Sequence, residues 1–122
     1  MARTAVPVTA LTANAENENP TTTAIDATNQ HEIASGGETD RLLLRIVNTF
    51  AGSKVVTIKA GVNPPAFRAG LGDLAITMGA QNDVAYVVLE SARFAQADGK
   101  INIDVAASMT GSILALRLPK GV

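Results

Sequence analysis

From Leu42 onward the chain alternates apolar and polar residues in short runs, and this period of two limits its fold more than any other feature. "RLLLRIVNT" sets Leu42, Leu44 and Ile46 on one side and Arg45 on the other. "KVVTIKA" groups Val56, Ile58 and Ala60 opposite Val55, Thr57 and Lys59, and "DLAITM" groups Leu74, Ile76 and Met78. "KINIDVA" sets Ile101, Ile103 and Val105 against Asn102 and Asp104. "GSILALRL" sets Leu114, Leu116 and Leu118 against Ile113, Ala115 and Arg117. Successive side chains of a β-strand point to opposite faces, so each run can bury one face of a sheet. "VAYVVLES" is apolar almost throughout, the pattern of a central strand buried on both sides.

Between these runs lie "AGS", "GVNPPAFRAGLG", "GAQND", "ADG" and "SMTG", rich in the residues that turns require. Six or seven short strands so punctuated predict an all-β protein: an antiparallel β-sandwich of jelly-roll, immunoglobulin-like or barrel-like form. No stretch holds a 3.6-residue period over three turns. "PPAFRAG", opened by Pro64-Pro65, is the one place for a short helical turn.

"FAQADGKINIDVA" admits two readings. As an EF-hand loop with Gly99 at its sixth position, it has Phe94 at the first and Val105 at the twelfth, where oxygen ligands are required. As a hairpin it has Asp98-Gly99, a preferred pair for a two-residue type I′ turn. That register sets Ala97 opposite Lys100 and Arg93 opposite Asp104. The hairpin is the expectation.

The leading segment differs in character. Residues 1–19 are small and polar, with Pro7, and end in "NAENEN" just before Pro20; they read as an extended N-terminal arm preceding a β-sandwich domain over residues 20–122. "TTTAIDATNQHEIA" is a strand candidate broken by "SGGETD". Residues 1–40 carry one base, Arg3, against six acids, a net charge of −5; residues 41–122 carry nine bases against five acids, a net of +4. This asymmetry fits either an acidic segment lying on a basic surface, its own or a partner's, or a solvated loop.

Reactive chemistry is scarce. A length of 122 residues fits one domain, 47% hydrophobic residues support a core, and there is no cysteine for a disulfide, a thiolate site or a thiol nucleophile. No apolar run approaches the ~18 residues of a membrane helix, and no signal-peptide pattern opens the chain, so it is expected to stay in the cytosol where it is made. His31 is the only histidine, beside Glu32, and reads as a surface or edge-strand residue rather than a catalytic base. One histidine without cysteine gives no recognisable metal site, and "AGLGDLA" lacks the Lys-Ser/Thr end of a phosphate loop. Dispersed bases with few aromatics argue against nucleic acid. Tyr86, Phe50, Phe67 and Phe94 are the only aromatics, few for a carbohydrate platform, and Tyr86 reads as core or interface packing. The expectation is therefore no enzyme and no cofactor, but a protein that acts through its surface.

The two ends, "MARTAVPV" and "INIDVAASMTGSILALRLPKGV", with "LLLRIVNTFAGSKVVTIKAG" and "NPPAFRAGLGDLAITM" between them, resemble small head decoration, or cement, proteins of tailed phages. The resemblance implies a structural virion protein on the outer surface of an assembled capsid. Homotrimers would bridge subunits of the major capsid protein and hold them against the pressure of packaged DNA, with no nucleic-acid or membrane contact. Within the arm, Val6, Val8 and Leu11 are the expected apolar anchors and Arg3 the expected charged one. Ala5 to Leu11 would then add as an edge strand to a neighbouring subunit, with Arg3 pairing to a carboxylate there; the alternative is a strand completing its own sheet. A second reading is a glycan-binding or adhesive β-sandwich module on a virion surface.

Overall fold

The computed structural model describes residues 2–18, 20–34, 42–63, 66–89 and 91–119. The expected break at "SGGETD" and the Pro64-Pro65 pair lie outside the described residues. Among the described residues ten strands follow in order: β1 (Thr4–Ala5), β2 (Val8–Ala10), β3 (Thr22–Ala24), β4 (His31–Ala34), β5 (Leu42–Asn48), β6 (Lys54–Ile58), β7 (Leu74–Met78), β8 (Val84–Leu89), β9 (Lys100–Val105) and β10 (Gly111–Arg117). A 3-10 turn spans Ala69–Leu71 within the segment expected to turn, and a short helix, α1 (Ser91–Phe94), precedes β9.

The strands form two sheets packed face to face. Sheet A has the order β1-β4-β9-β6-β7; sheet B has β2-β10-β5-β8, with β3 also paired to β10. The all-β sandwich expected from the alternation is present, with one correction: the sheets are mixed, not purely antiparallel. β1 runs parallel to β4 and β2 runs parallel to β10. Val6 and Pro7 carry the chain from one sheet to the other, so the leading segment caps the same rim of both layers. Proline cannot donate to a ladder, and a crossing between sheets needs no donor there.

The alternation selects the core correctly in most strands. Leu42, Leu44 and Ile46 of β5, Val56 and Ile58 of β6, and Ile101 and Ile103 of β9 are fully buried. Ile33 of β4 and Ile113 of β10 join them in one cluster. Apolar area leaving water is worth roughly 25 cal/mol per Å², so this shared layer is the main source of stability. In β10 the inward set is Ile113 and Ala115; Leu114 stands outside the core cluster.

β8 departs from its expected position. The most apolar run of the chain is an edge strand of sheet B, not a central one. Its inward residues Ala85 and Val87 pack on the core, while Val84, Tyr86 and Val88 stand exposed.

The Asp98-Gly99 turn also shifts by one residue. Gly99 N–H donates to Gln96 O and Gln96 N–H to Lys100 O, both at 2.8 Å, so Gln96 faces Lys100 and Ala95 faces Ile101. The loop has three residues, of which only Gly99 has positive φ (83°), whereas a two-residue I′ turn needs it at both centres. Arg93 therefore does not face Asp104; it donates to the carbonyls of Gly72 and Asp73.

One buried polar side chain ties two loops together. Asn48 has no exposed surface; its Nδ2 donates to Gly52 O (3.0 Å) and Ala80 O (3.1 Å), and its Oδ1 accepts from Phe50 N–H (3.1 Å). Asn48→Ala should cost about 3 kcal/mol, three bonds at ~1 kcal/mol net each, read as a lower urea midpoint at unchanged m-value. Gly111 faces Asn48 at the start of β10 with φ 141°, and a Cβ there would collide with the Val47 carbonyl oxygen. Gly111→Ala should destabilise by at least ~2 kcal/mol in the same assay.

Candidate interaction face

The four arm residues singled out by sequence all engage the chain's own sheets. Val6 is only 2% exposed within the core cluster, and Val8 packs against that cluster. Leu11 is half-buried and its N–H donates to Arg117 O at 2.9 Å. Arg3 finds its carboxylate within the chain: Nη1 lies 2.6 Å from Asp104 Oδ1 and also donates to the carbonyls of His31 and Ile103. Thr4 N–H and Val6 N–H donate to the carbonyls of Gln30 and Glu32. The segment expected to add to a neighbour thus completes its own sandwich, because β4 and β10 each offer it an open edge and the core has a place for Val6.

His31 is corrected from a surface residue to a fully buried one. Its Nε2 accepts from Asp26 N–H at 2.9 Å, and Nδ1 lies 3.2 Å from Thr4 O, which fixes the neutral ring as a donor at Nδ1. Asp26 completes the clasp: its carboxylate accepts from Thr4 Oγ1 (2.7 Å), from Asn29 Nδ2 and from the amides of Thr28 and Asn29. These bonds hold the Asp26 carboxyl well below the usual carboxylate range. With both ring nitrogens occupied, His31 is a structural joint between the leading strand and the 26–30 turn. The signal was in the sequence: His31 and Ile33 are two apart and share the inward face of β4.

The two outer faces of the sandwich differ in kind. Sheet A presents Glu32, Lys100, Asn102, Asp104 and Thr57, laced by ion pairs. Lys100 Nζ lies 2.8 Å from Glu32 Oε2, Arg3 meets Asp104, and Lys59 Nζ lies 2.9 Å from Asp73 Oδ2. That is a face made for water.

Sheet B presents three cross-strand rows. Val88, Leu43, Leu116 and Thr9 form the first. Tyr86, Arg45, Leu114 and Thr22 form the second, in which Leu114 is only 8% exposed. Val84, Val47, Ser112 and Ala24 form the third. Arg45 is their single charge. Tyr86 is 65% and Val88 61% exposed. The rows run from the capped rim to the open one, where the edge strand β8 has neither a charge nor a proline to discourage pairing.

An exposed apolar patch of this kind is often functional, as a site for protein, membrane or ligand contact. Sequence reasoning noted Arg45 and Tyr86 separately and missed the face, although a lone arginine amid apolar outward residues was its sign. Phe67, 80% exposed, sits in the β6–β7 connection on the other sheet, so the two exposed aromatics do not form one platform. Among the described residues no group of three His, Asp or Glu gathers as a metal site, and no helix is long and apolar enough to cross a membrane. No family model, no curated protein and no solved structure matches the chain.

Burial pushes the His31 imidazole below 6.5, against the raising effects of the Thr4 carbonyl and the Asp26 carboxylate; Arg3 adds to the lowering. The unfolded chain then binds the proton first, so the clasp's contribution is complete above pH 6.5 and is lost as pH falls from there. The melting temperature should be flat above about pH 7 and decline towards pH 5, before the carboxylates titrate. His31→Gln should remove that decline while lowering the melting temperature at neutral pH, as followed by circular dichroism.

Proposed function

We propose that this chain is a structural virion protein, a phage capsid decoration or cement protein that binds the outer surface of an assembled head. It stabilises the shell by bridging subunits of the major capsid protein. The observation that carries the reading is the outer face of sheet B: an apolar face on a rigid sandwich whose opposite face is ion-paired and water-adapted. A protein lying on a shell needs this two-sidedness, with one face against its neighbours and one towards solvent. The resemblance carried by "MARTAVPV", "LLLRIVNTFAGSKVVTIKAG" and "INIDVAASMTGSILALRLPKGV" points the same way. Homotrimers at three-fold positions belong to the same reading.

The stiffness required of a cement protein has a physical basis here. Load on one bridged subunit passes through a close-packed aliphatic layer that resists compression, not through a hinge. The leading strands, clasped by His31 and Asp26, pin the rim of both sheets.

Purified DNA-free shells, assembled from the major capsid protein of the phage that carries this chain, provide the test. The protein should co-sediment with the shells at a saturable stoichiometry and raise the temperature at which they rupture. Failure to bind such shells at micromolar protein would overturn the reading. A glycan-binding module would instead leave the shells bare and bind an array through Tyr86 or Phe67.

A further inference from the structure

We infer that the outer face of sheet B docks on a protein surface that is apolar around a single carboxylate, and that this carboxylate pairs with Arg45. The inference rests on the reading above and adds the chemistry of the partner. Arg45 sits at the middle of the face, between Tyr86 and Leu114 across the strands and between Leu43 and Val47 along β5. Its Nε–H donates to Tyr86 OH at 3.3 Å. Among the described residues its two terminal amino groups make no hydrogen bond or ion pair, whereas Arg3 on the other sheet engages Asp104 and two carbonyls through Nη1.

Covering the surrounding leucines and valines strips water from the guanidinium, and an unpaired buried charge strongly opposes docking. A guanidinium held at Nε by a tyrosine still presents its planar end, the geometry that takes a carboxylate through parallel hydrogen bonds. Tyr86 both orients Arg45 and contributes an exposed ring, and tyrosine and arginine are both enriched at the energetic centres of interfaces. The complementary surface is therefore specified: apolar, with one Asp or Glu at its middle.

A second copy of this chain does not meet that specification. A two-fold contact between sheet B faces would set Arg45 against Arg45 in a layer of low dielectric. Four strands at ~4.8 Å and about six residues at ~3.3 Å give a face of roughly 400 Å². That is about half of the ~800 Å² per partner in a stable pair. The face suits a subunit held by many copies of a larger partner surface, where each contact is small.

Binding to the DNA-free shells is the readout, with three variants whose urea midpoints match the parent. Arg45→Met should weaken binding at least about thirty-fold, because it leaves the partner's carboxylate buried without a counter-charge. Equal or tighter binding by Arg45→Met would show a purely apolar partner surface and overturn the inference while leaving the proposed function standing. Val88→Lys should abolish binding, and Thr77→Lys, on the outer face of sheet A, should leave it unchanged; the reverse pattern overturns the inference. A benzophenone side chain at position 88 should cross-link to a capsid-protein segment containing Asp or Glu. Cross-linking to a second copy of this chain overturns the inference. Shells that bind no wild-type protein overturn the proposed function and the inference together.

Discussion

The aliphatic layer between the two sheets is the interaction on which the rest of the molecule depends. Leu44, Ile46 and Ile113 from sheet B meet Ile33, Ile58 and Ile103 from sheet A, all with no exposed surface. A sheet has two faces, and this layer uses one of each. The outer faces are thereby released from any duty to the core, and their composition reports what lies beyond the chain. One carries Lys-Glu, Arg-Asp and Lys-Asp pairs; the other carries leucine, valine and tyrosine around a single arginine. The ion pairs contribute little to stability, since exposed pairs are worth ~0–1 kcal/mol. Their meaning is solubility on that side.

Much of the fold was legible because burial imposes a period of two. β5, β6, β7 and β9 were read with the correct inward residues. β8 reads as a central strand and is an edge one, and in β10 the alternation leaves the inward set open; in both, two apolar sets alternate, and that carries no direction. The near-continuous apolar run of "VAYVVLES" leaves its inward set unmarked.

Other features lay beyond local reading. Parallel pairing of β1 with β4 and of β2 with β10 joins segments far apart in sequence, and no spacing rule encodes it. The fit of Val6 into the core and of Arg3 onto Asp104 follows from that topology, so the leading segment read equally well as an arm for a neighbour. His31 reads by type as a surface or edge-strand residue; its spacing of two from Ile33 marks the inward face, but its partners are backbone groups, the Asp26 amide and the Thr4 carbonyl, which leave no mark in composition. The three-residue loop at Asp98-Gly99 differs from the two-residue one only in backbone angles.

The capped rim has a consequence for biosynthesis. β2 pairs with β10, and Arg3 closes on a residue 101 positions later. The leading strands leave the ribosome first and wait longest for their ladders. Sandwiches dominated by such distant pairings fold slowly, since loop closure must be completed before the contacts reward it. During that interval Val6 and Val8 are unshielded strand-formers in a crowded cell, flanked by Pro7, which disfavours their mispairing. Closure of the rim must therefore wait until the last strand of the chain has been made.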